Sequence, residues 1–411
     1  MSVSVADRLA HRLAARGLRR CFGYLGHHIE PLPQALLRSG HEVLIAASET
    51  GAGYMAQGWF LASGRPALVF CGGGPGLALL VPALQTARLE GFPLLLILGQ
   101  TGSNGLPRFQ DTGSDGSRDR ELLAALQLPS FHLELVAGLE AALAFAERQL
   151  RQRASAVLTV PCDVLAAAAP EPPPAPAAPA PWPAWDAAPE ASGHSSDGAS
   201  GCGPAKANGP LGQIAAGIAA EPAMAGSYRC VVKALLQHLP GDTLWFGDAG
   251  QSRHAMRMAF QPLGIPLQDC PRSAPMGWAI AAAIGAACHD PQRPVCCFGG
   301  DGSARMMAGE WATAVRHQLP ITFVLALNGV LGSPYGRLRE SGAEALSQLP
   351  VIDWCALAAA MGLPARRVAD GCAIAEALAI LAPQGGPRLL VVPLPARDPD
   401  VVPPYSLKGE P

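Results

Sequence analysis

An excess of positive charge is missing from this chain: 30 Lys and Arg stand against 32 Asp and Glu, a formal net charge of −2. Nothing in that balance argues for a nucleic-acid partner, whose phosphates demand a basic surface. Long hydrophobic runs are also missing. No stretch reaches the roughly 18 apolar residues that a membrane-spanning helix needs. The first residues, MSVSVADRLAHRLAARGLRR, hold no apolar core followed by a cleavage site, so the expectation is a cytoplasmic protein with no membrane partner. CxxC spacing is absent among the 11 cysteines, and the one close pair, Cys296-Cys297, sits in an apolar stretch. Buried reduced thiols are therefore expected instead of zinc sites or disulfides.

What is present is a chain of 411 residues, too long for one ordinary core. Between residues 5 and 165 helical stretches alternate with the apolar runs RCFGY, EVLIAA, PALVFCG, PLLLILG and SAVLTVP. Continuous apolar runs predict strands covered on both faces, hence a parallel sheet wrapped by helices. From 166 to 225 the composition collapses into Ala, Pro, Gly and Ser, including PEPPPAPAAPAPWPAW. Such a segment buries too little apolar surface to offset its ordering entropy and reads as a linker. Near Tyr228 a second series begins: TLWFGDAG, PVCCFGGDG, ITFVLALNG and RLLVVPLP. The expectation is an α/β protein with two doubly wound parallel-sheet domains, 1–165 and 226–402, and a short tail at 403–411.

Chemistry concentrates in GGDGSARMMAGEWATAVRHQLPITFVLALNG. The turn at Gly300, Asp301 and Gly302 follows one strand, a helix through Met307, Trp311 and Val315 comes next, and a second strand delivers Asn328. Both polar residues thus fall at the carboxyl ends of strands, where open α/β sheets bind ligands. An Asp carboxylate, an Asn amide oxygen and a main-chain carbonyl suit an octahedral Mg²⁺ that also holds phosphate oxygens. A lone Gly-Asp-Gly is also an ordinary turn. The whole stretch resembles the thiamin-diphosphate motif, which implies Asp301, Asn328 and the carbonyl of Val330 as Mg²⁺ ligands. Leu327 stands where that family often has a second Asn.

The amino-terminal stretch HEVLIAASETGAGYMAQGWFLASGRPALVFCGGGPG resembles the pyrimidine-binding domain of acetolactate synthases, benzoylformate decarboxylases and their relatives. The resemblance implies Glu49 as the catalytic glutamate: its carboxyl group, bonded to the aminopyrimidine ring, favours the imino tautomer that deprotonates the thiazolium carbon. A solvated acid in the first turn of a helix is the plainer alternative. Pro75 would line the pyrimidine pocket, while Leu79 replaces an Asn common among relatives. The GGGPG turn lacks the Gly-Lys-Ser/Thr ending of a nucleotide phosphate loop. In GDAGQSRHAM, Gly250, Gln251 and Ser252 are implied diphosphate contacts together with Gly300, Gly302 and Ser303; a helix cap is the other reading of Ser252. Met276 matches the apolar wedge that bends the cofactor, although core packing is the commoner use of Met.

On the substrate side, His27 aligns with a position that approaches the substrate, and an imidazole there binds a carboxylate or relays protons. His28 either faces the same pocket or caps the following helix, and a structural role is open for both. Phe109-Gln110 resembles the Phe-Gln pair of acetolactate synthases, with Gln110 contacting the intermediate. LGSPYGR carries no acid where pyruvate decarboxylases place one. The linker occupies the place of a central domain, so no flavin adenine dinucleotide is expected, and the layout is similar to sulfopyruvate and phosphonopyruvate decarboxylases. The resemblance implies non-oxidative decarboxylation of a 2-oxo acid through a ylide and an enamine, with carboligation to an aldehyde or second 2-oxo acid as the alternative and a non-catalytic scaffold as a third. It also implies a homodimer or dimer of dimers with sites shared between chains, a pairing that would cover the apolar helices around Met55 and Ile280.

Overall fold

The computed structural model describes residues 3–102, 116–169, 226–369, 373–382, 385–396 and 401. The chain divides into two units, Met1–Ala188 and Pro189–Pro411. In the first, the strands are β1 (Arg20–Gly23), β2 (Glu42–Ile45), β3 (Leu68–Gly72), β4 (Leu95–Gln100), β5 (Ser130–His132) and β6 (Ala156–Pro161). They form one sheet in the order β2-β1-β3-β4-β6-β5, every neighbouring pair parallel. β4 is buried at all its positions, so its sequence, LLILGQ, shows no polar alternation.

Local chemistry sets the helices that flank this sheet. Ser4 and Asp7 close a reciprocal capping box on the Val5–Ala15 helix, which turns Val5, Leu9 and Leu13 into the core. The Glu49–Ser63 helix lies close against Pro75–Glu90 because Gly53 faces Ala83: a Cβ at Gly53 would come within 2.5 Å of the Ala83 Cβ. The first unit holds its chain beyond residue 165, since Ser4 bridges Ala168 and the Ala169 N–H donates to the Val3 carbonyl at 2.8 Å. Residues 170–225, most of the expected linker, lie outside the described residues.

The second unit has strands β7 (Leu244–Gly247), β8 (Leu267–Gln268), β9 (Val295–Gly300), β10 (Ile321–Leu327), β11 (Ala365–Arg367) and β12 (Arg388–Pro393). Their order is β11-β12-β10-β9-β7-β8, again all parallel. Numbered from each unit's own first strand, both sheets read 2-1-3-4-6-5. In each, the order reverses beside the first strand, and that switch point is where such sheets open a crevice. The Trp278–Ala287 helix, WAIAAAIGAA, is buried on every side and accordingly apolar all round.

Two details differ from the sequence reading. The helix expected to run through Met307, Trp311 and Val315 is two, Asp301–Met307 and Glu310–Arg316, separated at Ala308-Gly309. Glycine is the costliest non-proline residue to hold in a helix interior, and the break falls there. β5, β8 and β11 were not foreseen; at three, two and three residues they are too short to carry a periodic signal. Among the described residues no helix is long and apolar enough to cross a membrane.

Candidate active site

In the first unit, polar groups gather where β1 to β4 end. Glu49 opens its helix one residue after Ser48, whose hydroxyl accepts the Gly51 N–H at 3.0 Å. The carboxylate is half-buried, and a Cβ at Gly76 would sit 3.3 Å from its Oε1. Glycine at 76 thus keeps room beside that oxygen. Pro75 starts the neighbouring helix, after Gly74 at φ 64°, so Glu49 faces two helix amino termini. Leu79 is exposed, and its carbonyl accepts the Thr50 hydroxyl.

A buried acid that the sequence reading missed holds the glycine turn. Asp119 accepts the Gly74 N–H at 3.0 Å and the Gln100 amide at 3.5 Å. Any side chain at Gly73 would collide with it, a Cβ there lying 2.3 Å from Asp119 Oδ2. Within SRDREL it looks like one more charge on a solvated helix face, and only the fold turns it inward. His28 is half-buried, with Nε2 3.4 Å from the Thr101 hydroxyl. Its backbone presses on β4 so closely that a Cβ at Gly99 would be 2.2 Å from the His28 carbonyl oxygen. Burial pushes the His28 pKa below the ordinary 6.5, the His27 charge adds to this, and Asp119 opposes it. His27 is exposed. Neither imidazole caps the Pro31–Arg38 helix, which starts at Glu30 without a side-chain cap. Gln110 and Phe109 lie outside the described residues.

The second unit sets its groups on the equivalent strand ends. Asp301 follows β9 and is 2% exposed; its Oδ1 accepts the Gly302 N–H and its Oδ2 the Gly329 N–H, both at 3.0 Å. The register pairs Gly300 with Ala326, which brings Asn328 just beyond the level of Asp301. Asn328 Oδ1 accepts the Val330 N–H at 3.1 Å, and its Nδ2 donates to the Tyr228 hydroxyl at 3.1 Å, so the amide is oriented from both ends. Gly329, at φ 69°, makes the turn between them possible. Burial pushes the Asp301 pKa above the usual carboxylate range, against the two N–H donors and the Arg305 charge.

These residues fit a hard cation bound together with a diphosphate. Asp301 forms no direct ion pair with a described residue, and Arg305 acts on it only from a distance. The oxygens of Asp301 and Asn328 supply the donor chemistry. Among the described residues no group of three or more His, Cys, Asp or Glu could hold a metal ion. Beside them, Gly250 adopts φ 126° and ψ −161°, a conformation open essentially to glycine, and opens the Gln251–Phe260 helix with no side-chain cap. That bare amino terminus suits an anion.

Three side chains expected to face the diphosphate are otherwise engaged. The Ser252 hydroxyl is buried and donates to the Asp248 carbonyl at 3.3 Å, so it neither caps its helix nor points outward. The Ser303 hydroxyl donates to Asp248 Oδ1 at 2.8 Å. Gln251 donates through Nε2 to the Ala396 carbonyl at 3.0 Å. Met276 is half-buried, and its Cε and Leu331 Cδ2 would each be 3.1 Å from a Cβ at Gly302. Asp248, the hub of these contacts, was overlooked; the signal was a second strand-end acid, in GDAG, echoing GGDG.

Two stretches of the chain match one enzyme family, thiamine pyrophosphate enzymes: residues 3–119 its N-terminal TPP binding domain and residues 248–392 its C-terminal TPP binding domain. The chain belongs to the thiamine pyrophosphate enzymes. The first matched stretch takes in β1 to β4 and the second β8 to β11 and most of β12, and the family's TPP-binding domains account for the cofactor class. Among similar proteins, the mitochondrial acetolactate synthase catalytic subunit of Aspergillus candidus is 38% identical over 99 residues, 23% of this chain and 14% of its own. Acetolactate synthase isozyme 1 large subunit of Escherichia coli is 35% identical over 114 residues, 27% of this chain and 20% of its own. Sulfoacetaldehyde acetyltransferase of Roseovarius nubinhibens is 26% identical over 127 residues, 31% of this chain and 20% of its own. The aligned stretches thus span a fifth or less of these relatives.

Proposed function

We propose that this thiamine pyrophosphate enzyme decarboxylates a 2-oxo acid without oxidation, and that Asp301, Asn328 and the Val330 carbonyl would hold a Mg²⁺ ion, which would supply positive charge for the cofactor diphosphate. The observation that carries the reading is the buried Asp301, in no direct ion pair with a described residue, oriented beside Asn328 at adjacent strand ends. When bound, thiamin diphosphate supplies the electron sink that lets a 2-oxo acid release CO₂. Glu49 holds a proton at its carboxyl oxygens for exchange with the aminopyrimidine ring, and the room left by Gly76 keeps those oxygens accessible. The uncapped Gly250 turn would hold the diphosphate on backbone N–H groups. Met276, whose Cε lies where a side chain at Gly302 would reach, would pack against the cofactor. His28, whose pKa burial lowers, would act first as a base, taking up a proton at its ring nitrogen and only then returning it.

Carboligation is the second reading, favoured by the similarity to proteins named acetolactate synthase. The two differ only in whether a proton or a second carbonyl meets the reacting carbon. Incubating the holoenzyme with a panel of 2-oxo acids, with and without aldehyde acceptors, separates them by product. Free aldehyde without acceptor supports decarboxylation, acceptor-dependent acyloin supports ligation, and no CO₂ from any acid rejects both.

A sharing of the site between two copies of the chain also belongs to this proposal. Met55 and Ile280 are 0% and 5% exposed within the chain, so the need to cover them no longer argues for pairing. The remaining argument is the division of Glu49 and Asp301 between units. Mixing inactive Glu49→Gln and Asp301→Ala chains restores activity if sites are shared, and restores none, despite verified subunit exchange, if they are not.

A further inference from the structure

The geometry points to Asp248 and Arg253 as a clamp that positions the Met276 segment and, through it, the bound cofactor. The inference rests on reading the second unit as the diphosphate side of the site. Both residues come from the end of β7 and the first turn of the helix that follows. Asp248 is 1% exposed and receives four hydrogen bonds: from the Ala249 N–H at 2.8 Å, the Gly277 and Ala279 N–H groups at 2.9 Å, and the Ser303 hydroxyl at 2.8 Å. Every partner is a donor. Three of them are backbone N–H groups that can only donate, so an amide in place of the carboxyl group would set a donor against a donor; burial pushes the Asp248 pKa above the usual carboxylate range, against these hydrogen bonds. Gly277 and Ala279 open the Trp278–Ala287 helix, so its positive end faces this charge.

Arg253 grips the other end. It is 4% exposed and donates through Nη1 to the Cys270 carbonyl at 2.9 Å, the same oxygen that accepts the Ala274 N–H at 3.0 Å. Between these anchors Ala274 is held at φ 45°, a left-handed conformation that alanine adopts at a cost and keeps only when its surroundings impose it. Met276 follows two residues later. Ser303 extends the connection to the helix that begins with Asp301. One carboxylate therefore ties the Gly250 turn, the Met276 segment and the Asp301 helix together, and a shift in any of them moves the others.

Asp248→Asn tests the clamp. In cofactor-free protein, amide hydrogen exchange at Gly277 and Ala279 should accelerate about tenfold relative to the middle of the Trp278–Ala287 helix. Calorimetry with Mg²⁺ and thiamin diphosphate should show binding weaker by about tenfold. A double-mutant cycle separates positioning from general support: adding Met276→Ala to Asp248→Asn should change affinity by less than about twofold, because Met276 is already misplaced. Full additivity of the two substitutions overturns the proposal. Should Asp248→Asn not fold, Arg253→Gln loosens the other anchor and enters the same cycle with the same expected outcome. If the unaltered protein binds no thiamin diphosphate, the functional reading fails, yet the exchange measurement still judges the clamp; unchanged protection at Gly277 and Ala279 overturns it.

Discussion

The two units share one strand order and furnish its loops in opposite ways. After the first strand, one unit places the exposed His27 and the half-buried His28, the other the fully buried Asp248. After the third strand, one has the glycine turn before Pro75, the other the Asp301 turn. Glycine itself serves different ends: Gly53 admits a neighbouring helix, whereas Gly250 has open space around it and is needed for its backbone angle. A common scaffold thus carries histidines and a glycine turn on one copy and buried acids on the other, and on the proposed function these would handle protons and anions respectively.

Breaking one unit's chemistry while sparing the other's gives the largest effect. Glu49→Gln should slow exchange of the cofactor's thiazolium C2 proton by roughly 10² to 10⁴, with cofactor affinity within a few-fold of the original; unchanged exchange by NMR removes Glu49 from the chemistry. Asp301→Ala should do the reverse at the binding step. Loss of a charged ligand there costs about 3 kcal/mol, roughly a hundredfold in Kd, and full-affinity calorimetry of that variant would sink the Mg²⁺ assignment.

Acid stability sharpens the contrast. His254, on the Gln251–Phe260 helix, has its pKa pushed down to about 4 from the ordinary 6.5, first by burial and then by Arg253 and Arg257. Between those values the unfolded chain binds a proton that the folded chain does not, so stability falls as pH drops through that window. After allowance for solvent screening the loss is about 2 kcal/mol. His254→Asn should flatten urea midpoints across that range, and an unaltered slope would assign the acid sensitivity elsewhere.

The two glycines differ by mechanism. Gly53→Ala should cost about 1–3 kcal/mol through overpacking against Ala83, visible as a lower Tm, while any cofactor bound by the folded fraction is held normally. Gly250→Ala should cost about 1–2 kcal/mol through backbone strain and weaken diphosphate binding as well. Equal cofactor affinity in both would cancel the distinction. The smallest effect is expected at the histidines: His28→Ala should shift the aldehyde-to-acyloin ratio by about tenfold or less, and the exposed His27→Ala by less still. A larger change for His27 would reverse their order.

The strand-end placement of Asp301, Asn328 and Glu49 was legible because a strand, a turn and a spacing surround each of them, and the long strands were legible because burial on both faces leaves an unbroken apolar run. Asp119 and Asp248 were not, since each has meaning only through partners distant in the chain: Gly74 for the first, Gly277, Ala279 and Ser303 for the second. Hydroxyl direction was equally hidden. Ser252 and Ser303 read as anion contacts, and packing around Asp248 turned both inward.

By itself the sequence determined the class of fold, the strand ends that carry acids and amides, and the glycines at which the backbone has to bend, because each depends on a residue's own size, charge or conformational range. Only the tertiary structure decided which acids are buried, which hydroxyls are already engaged, and that both sheets follow one strand order. Those outcomes depend on parallel crossovers that bring remote segments side by side, and a donor finds its acceptor only after the chain has crossed over.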